Sequence, residues 1–145
     1  MGKIIAIVGM CGSGKSVACD YLENLGYKKV YFGGVTMDKL KEIGLEITPD
    51  NEKMMREKLR QDLGMGAYAK VLLPKIKELS INNNVVLDGL YSWDELVILN
   101  NEFKMTTIAV VADKKLRYER LEKRVVRPFS KSDAIKRDVS EIENI

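Results

Sequence analysis

The chain has 145 residues, of which 46% are hydrophobic and 31% are charged, and its net charge is +3. This length and balance are typical of one globular domain with a buried core, and no apolar run approaches the ~18 residues of a membrane-spanning helix. The small net charge argues against a nucleic-acid partner. Histidine is absent, which excludes His-based triads and His-ligated metals. Cys11 and Cys19 fit neither a disulfide framework nor a zinc motif, and no leader pattern opens the chain, so we expect a cytoplasmic protein.

The first predicted element is a strand that runs into a glycine-rich loop. Residues 9–16 read Gly-Met-Cys-Gly-Ser-Gly-Lys-Ser and directly follow the apolar run Ile-Ile-Ala-Ile-Val. This is the spacing and the strand-then-helix context of a phosphate-binding loop, in which backbone N–H groups surround a polyphosphate at a helix N-terminus. Lys15 is predicted to contact the β- and γ-phosphates of a nucleoside triphosphate, and the Ser16 hydroxyl to ligate Mg²⁺. The residues predicted to hold the nucleotide here are Gly9, Gly12, Ser13, Gly14, Lys15 and Ser16.

Short apolar runs alternate with helical patterns along the rest of the chain. This alternation predicts a parallel sheet with helices on both faces, in one domain spanning residues 1–145. The first helix is expected from about Lys15 to Asn24, with an apolar stripe of Val17, Ala18, Tyr21, Leu22 and Leu25. The four predicted strands are Lys3–Val8, Lys28–Phe32, Val85–Asp88 and Thr106–Val111.

A long helical insertion, at about residues 34–80, separates the second and third strands. Its predicted helices cover Met37–Ile43, a segment from Pro49 to Gly64, and a stripe from Ala67 to Leu79. Such an insertion lies over the carboxyl edge of the sheet, where a second substrate would bind. Arg56 and Arg60 are four residues apart, and they either hold an acceptor phosphate or are exposed charges among acidic neighbours.

The third predicted strand ends in a carboxylate, at Asp88-Gly89. An acidic residue at this place can hold Mg²⁺ or its water beside the hydroxyl of Ser16. The alternative is a strand-end aspartate that makes a turn with Gly89. Directly after it, Ser92-Trp93-Asp94-Glu95 is a capping box that predicts the start of a helix.

A basic segment follows the fourth strand. Residues 114–127 hold seven lysines and arginines against two glutamates, and Asp113 can cap the helix that they form. Guanidinium groups match phosphate oxygens, so this segment is either a lid that closes over the phosphates, at about residues 124–137, or a solvated helix face. Arg124 and Arg137 are the predicted lid arginines, and the role of Arg117 stays open. Arg120 and Arg127 are further predicted nucleotide contacts.

Together these segments resemble the nucleoside monophosphate kinases among the phosphate-loop proteins, and most closely the dephospho-CoA kinases and the adenylate-kinase-related proteins. Besides residues 9–16, the resemblance rests on Leu-Gly-Met-Gly-Ala-Tyr-Ala-Lys (63–70), Val-Val-Leu-Asp-Gly-Leu-Tyr-Ser (85–92) and Arg-Tyr-Glu-Arg-Leu-Glu-Lys-Arg (117–124). It implies a three-layer α/β sandwich with a parallel sheet of order 2-3-1-4-5, an ATP–Mg²⁺ donor and a short lid. The sequence stops directly after the last predicted helix, at about residues 132–142, so a C-terminal strand is expected to be missing.

The acceptor half departs from this pattern. Residues 36–38 offer no arginine, and Tyr91 stands where many nucleotide kinases carry an arginine after the Asp-Gly. The expected function is an ATP-dependent kinase that phosphorylates a nucleoside monophosphate or a dephospho-CoA type acceptor; the alternative is a non-catalytic ATP-binding sensor. The expected catalytic residues are Lys15, Asp88, Arg124 and Arg137, and the acceptor candidates are Gly33, Arg56, Arg60 and Tyr91.

Overall fold

A parallel sheet forms the centre of the computed structural model, which describes residues 1–125 and 128–143. Within these residues the sheet has four strands in the order β2-β3-β1-β4. This confirms the predicted 2-3-1-4 arrangement, and no fifth strand lies in the described part of the chain. The strands are β1 (Ile4–Val8), β2 (Lys28–Tyr31), β3 (Val85–Asp88) and β4 (Met105–Ala109).

Helices follow each strand, as expected for parallel crossovers. Three of them lie between β2 and β3, where the helical insertion was predicted. The described helices are α1 (Lys15–Asn24), α2 (Gly33–Glu42), α3 (Pro49–Leu63), α4 (Ala67–Asn82), α5 (Trp93–Glu102), α6 (Lys114–Lys123) and α7 (Lys131–Glu143).

The helix α2 begins four residues earlier than its predicted start at Met37. Gly33 and Gly34 are poor helix formers, so the sequence pattern placed them in a loop. The chain instead passes from β2 directly into α2, which buries Val35 and Leu40. Burial of this apolar side outweighs the low propensity of the glycine pair.

The core has two layers, one on each face of the sheet. The larger layer packs β1, β2 and β3 against the insertion helices and α5, and includes Ala6, Leu87 and Ile76. The smaller layer, with Cys19 and Val86, packs α1 against the other face. This confirms the three-layer α/β sandwich.

The apolar stripe predicted for α1 was wrong for three residues. Val17, Tyr21 and Leu25 are 74%, 64% and 59% exposed. The buried side of α1 is formed by Cys19, with Ala18 and Leu22 of the predicted stripe packed beside it. Cys19 lies about 160° around the helix from Val17 and Tyr21, and α1 is positioned over β1 and β3 so that the Cys19 side faces the sheet.

None of the helices among residues 1–125 and 128–143 has the length and apolar character needed to cross a membrane.

Candidate functional site

The loop between β1 and α1 is closely packed and needs its glycines. Gly9, Gly12 and Gly14 have φ of 155°, 80° and 104°, a region that side-chain-bearing residues rarely adopt. A β-carbon on Gly9 would lie 2.4 Å from the Val110 carbonyl oxygen, and one on Gly12 would lie 2.8 Å from that of Arg117. The loop ends at Gly14, and α1 begins at the next residue. The first turn of α1 is therefore at the loop, and the N-terminus of a helix favours an anion.

The loop borders an open cleft of about 680 Å³, a volume within the usual range for small-molecule sites. The cleft is lined by the loop, Asp88 and the basic side chains that follow β4. Ser13 Oγ is buried and has no hydrogen-bond partner among the described residues. A polyphosphate could supply that partner, so the loop fits the group that the sequence predicts for it.

Lys15 is directed onto its own loop. Its Nζ donates to the carbonyl oxygens of Gly9 and Met10 at 2.7 and 3.0 Å, and it lies 5.2 Å from the centre of the Tyr91 ring. Burial lowers the pKa of Lys15, because the charged ammonium loses hydration. A phosphate group would replace these neutral carbonyls with charged oxygen partners.

Asp88 and Ser16 line the same cleft. Burial raises the pKa of Asp88, although the Lys15 and Lys29 ammonium groups oppose this shift, and its carboxylate also pairs with the Cys19 thiol. No group of three or more Cys, Asp or Glu side chains that could hold a metal occurs among the described residues. Mg²⁺ needs no such cluster, since it is commonly held by one or two protein oxygens, water and substrate phosphates. Ser16 and Asp88 fit that donor set.

The arginines after β4 approach the loop from α6. Arg120 Nη1 donates to the carbonyl oxygens of Gly12 and Ser13 at 3.3 and 3.2 Å. The Arg124 guanidinium lies 5.0 Å from the centre of the Phe129 ring and lines the cleft, as Arg137 does. Arg127, another predicted nucleotide contact, lies outside the described residues. The lid interpretation therefore stays a prediction, with two of its arginines at the cleft.

A second, smaller cavity of about 50 Å³ adjoins the cleft. Tyr91 and Arg137 line both spaces, and the Arg137 guanidinium lies 5.3 Å from the centre of the Tyr91 ring. Burial would lower the pKa of Arg137, but Tyr91 and Glu141 outweigh it and raise that pKa. The four acceptor candidates from the sequence all line this cavity: Gly33, Arg56, Arg60 and Tyr91.

The comparisons with known proteins agree with this architecture. A family model described as "AAA domain" matches residues 5–141. A UPF0200 protein of Thermococcus onnurineus is 38% identical over 125 residues, which cover 83% of this chain and 68% of the relative. A UPF0200 protein of Sulfurisphaera tokodaii is 35% identical over 145 residues, which cover 97% of this chain and 78% of the relative. The chain belongs to the AAA domain family and to the UPF0200 proteins. It spans 66% to 68% of the length of the Thermococcus relatives that it matches.

Three solved structures share the fold of this AAA domain. They are TT1252 from Thermus thermophilus (TM-score 0.62, 18% identity, 98% of this chain and 83% of that one), a gluconokinase from Sinorhizobium meliloti 1021 (0.57, 16%, 96% and 74%), and the deoxyadenosine kinase from M. mycoides with bound dATP (0.52, 17%, 97% and 82%). The predicted resemblance to phosphate-loop kinases is thus confirmed for the fold.

The role of Arg117 in this AAA domain was left open by the sequence. Arg117 is 6% exposed. Its guanidinium forms a bidentate pair with Asp138, at 2.7 and 2.9 Å, and Tyr118 Oη donates to the same carboxylate at 3.0 Å. Arg117 Nη1 also donates to the Cys11 carbonyl oxygen at 3.2 Å. Burial would raise the pKa of Asp138, but the hydrogen bonds from Arg117 and Tyr118 outweigh it and hold that pKa below its usual value. Arg117 thus connects α6, α7 and the phosphate loop.

The sequence analysis missed Glu95 as a site residue. Its capping box is present, since Ser92 Oγ accepts from the Glu95 N–H at 3.3 Å, and this local role gave no sign of a further one. Glu95 is 1% exposed and lines the second cavity. Burial raises its pKa to about 7, against the opposing charge of Arg60. A carboxylate at the end of a capping box, close in sequence to Asp88, is the signal that could have identified it.

Proposed function

We propose that this chain is an ATP-dependent kinase that transfers the γ-phosphoryl group to a nucleotide or nucleotide-like acceptor. The observation that carries the proposal is the shared wall between the two cavities. Tyr91 and Arg137 border both the phosphate-loop cleft and the cavity that holds Arg56 and Arg60. Transfer requires a donor and an acceptor held side by side, whereas binding alone requires the cleft only.

In this proposal the donor half neutralises charge on the triphosphate. Lys15 and the loop N–H groups bind the β- and γ-phosphates, and Arg124 and Arg137 stabilise the charge of the transferring group. Mg²⁺ held by Ser16 and Asp88 would neutralise further charge on the same phosphates. Arg120 and Arg127 contact the nucleotide.

The acceptor oxygen forms the new bond to the γ-phosphorus while the bond from that phosphorus to the bridging oxygen of ATP breaks, which releases ADP. Arg56 and Arg60 bind the acceptor, with Gly33 and Tyr91 beside them. If the acceptor oxygen is a hydroxyl, it also loses a proton, and in this proposal the Asp88 carboxylate orients that hydroxyl.

The location of the protein in the cytoplasm stays a prediction.

An acceptor screen tests the proposal. Purified protein is mixed with ATP and Mg²⁺ and, in turn, with each nucleoside monophosphate and with dephospho-CoA, and the phosphorylated product and ADP are quantified. We expect ADP and phosphorylated acceptor in equal amounts with one acceptor class. ATP binding without product from any acceptor would contradict the kinase and support the alternative, an ATP-binding sensor. The small volume of the second cavity and Tyr91 in the place of an arginine favour that alternative.

Replacing Asp88 with asparagine is expected to lower the transfer rate about 100-fold, because the amide removes a negative charge from the metal position and cannot take up a proton. Initial rates over a range of Mg²⁺ concentrations measure the effect, and the half-saturating Mg²⁺ concentration should rise. Asp20→Asn is the matched control, since its carboxylate is exposed and pairs with Lys29. An unchanged Mg²⁺ dependence in Asp88→Asn would contradict the metal role.

A further inference from the structure

Two polar atoms of the second cavity lack partners. Glu95 Oε1 and Arg60 Nε are both buried, and neither has a hydrogen-bond partner among the described residues. Both side chains line the cavity. Buried polar groups in proteins are almost always paired, so two unpaired groups at one cavity indicate that a ligand completes them.

The chemistry of the two atoms is complementary. Glu95 is ionised above its pKa of about 7. An ionised carboxylate oxygen only accepts hydrogen bonds, and an arginine Nε–H only donates. A ligand that satisfies both must therefore offer a donor to Glu95 and an oxygen to Arg60. The other oxygen of Glu95, Oε2, is placed to accept from the Tyr91 N–H at 3.5 Å, and this orients the carboxylate and leaves Oε1 for the ligand.

The charges of the cavity favour the same kind of ligand. Its three arginines are Arg56, Arg60 and Arg137, and its carboxylates are Glu52 and Glu95. Arg137 is further paired with Glu141. A bare phosphate would satisfy Arg60, but it would leave Glu95 without a donor and would place a like charge near it. A hydroxyl supplies the missing donor and can also be an oxygen acceptor.

We propose that Glu95 is a specificity-determining residue that accepts a hydrogen bond from a ribose hydroxyl of the acceptor, while Arg60 Nε donates to an oxygen of the same molecule. The acceptor class is accordingly a ribonucleotide or a compound built on one, in preference to molecules that lack the ribose hydroxyls. This inference rests on the proposed function, because it takes the second cavity as the acceptor site.

The test compares the binding of AMP and of 2′,3′-dideoxy-AMP, which differ only in the ribose hydroxyls. A non-hydrolysable ATP analogue with Mg²⁺ is kept saturating, so that neither probe occupies the phosphate-loop cleft, and binding is measured by calorimetry. The native protein is expected to bind AMP at least about tenfold more tightly, because a site built to bind a hydroxyl leaves its own polar group unpaired when that hydroxyl is missing. In Glu95→Leu, which has no oxygen to accept from the hydroxyl, the ratio is expected to fall towards one, with the affinity for the ATP analogue unchanged.

Glu102→Leu is the matched control, since Glu102 lies on the same helix and forms a surface pair with Lys77. It should keep the native ratio. Equal affinities for the two probes in the native protein, an unchanged ratio in Glu95→Leu, or no binding of AMP would each overturn the proposal. The native ratio needs no variant, so the test holds even if Glu95→Leu does not fold.

The outcome is independent of the acceptor screen. Tighter binding of AMP than of 2′,3′-dideoxy-AMP without phosphoryl transfer would reject the kinase proposal and retain ribose recognition. Phosphoryl transfer together with equal affinities for the two probes would retain the kinase proposal and reject the role of Glu95.

Discussion

Replacing Lys15 with alanine is expected to lower γ-phosphoryl transfer about a thousandfold, since preorganised charge at the transferring group is among the largest single contributions to such catalysis. The ammonium is already inside the loop, where it donates to the Gly9 and Met10 carbonyl oxygens. Initial rates of ADP formation with the acceptor identified by the screen measure the loss.

The same variant should stay folded. Burial lowers the pKa of Lys15, so its charged form is disfavoured in the native state, and its removal relieves that cost while two hydrogen bonds are lost. These effects oppose each other, and we expect the thermal midpoint to change by only a few degrees. Lys53→Ala is the control, because that exposed lysine pairs only loosely with Glu57, at 3.8 Å. Native turnover in Lys15→Ala would reject the assignment of the loop as the donor site.

The parts of this molecule that follow from short stretches of sequence could be predicted. The loop at residues 9–16 combines glycines, a lysine and a serine at fixed spacing, and the four strands are short apolar runs between helical patterns. Both signals depend on neighbouring residues only. The order of the four strands was also predicted, but it came from the resemblance to nucleotide kinases and not from the runs themselves.

The predictions that were wrong or missing depend on contacts between residues that are far apart in the sequence. Nothing near Arg117 in the sequence indicates that it pairs with Asp138, because the pairing depends on how α6 and α7 meet. The wrong part of the α1 prediction had the same cause. Val17 and Tyr21 belong to the same predicted apolar stripe as Leu22, and the way α1 packs on the sheet decides which of these residues are buried. The capping box is a sufficient local reason for a glutamate at position 95, so the sequence offered no reason to expect Glu95 at the second cavity.

Arg56 and Arg60 show most directly what could not be predicted from the sequence. Spacing placed Arg56 and Arg60 on one side of a helix, but it could not decide between an acceptor site and an exposed surface. The structure places both beside Tyr91 at the second cavity, and burial lowers the pKa of Arg56 to about 10. Their role towards an acceptor remains a prediction that the screen tests.

Replacing Asp138 with alanine is expected to destabilise the protein by about 3 to 5 kcal/mol, because it leaves the buried Arg117 charge without its partner. Tyr118 Oη loses its acceptor at the same time. Denaturant unfolding followed by circular dichroism measures the free energy of unfolding. Asp62→Ala is the control, since its pair with Lys58 is exposed and should contribute less than about 1 kcal/mol.

The pH dependence of stability separates a charge effect from simple loss of packing. The pKa of Asp138 is lowered in the folded state, so its contribution is present above the unfolded pKa and is lost as the pH falls through the folded value. The native protein should therefore lose more stability than Asp138→Asn on acidification. Equal pH dependence in the two proteins would contradict the ion pair.

The pair also joins α6 and α7 to the phosphate loop, because Arg117 donates to the Cys11 carbonyl oxygen as well as to Asp138. If that connection positions the loop, Asp138→Asn should weaken ATP binding even under conditions where the protein is fully folded, although Asp138 does not line the cleft. The double variant Arg117→Leu with Asp138→Leu should regain much of the lost stability, because it removes both buried charges. It should not regain ATP affinity, because Arg117→Leu removes the hydrogen bond to the Cys11 carbonyl oxygen. Recovery of both properties together would mean that the pair stabilises the fold without positioning the loop.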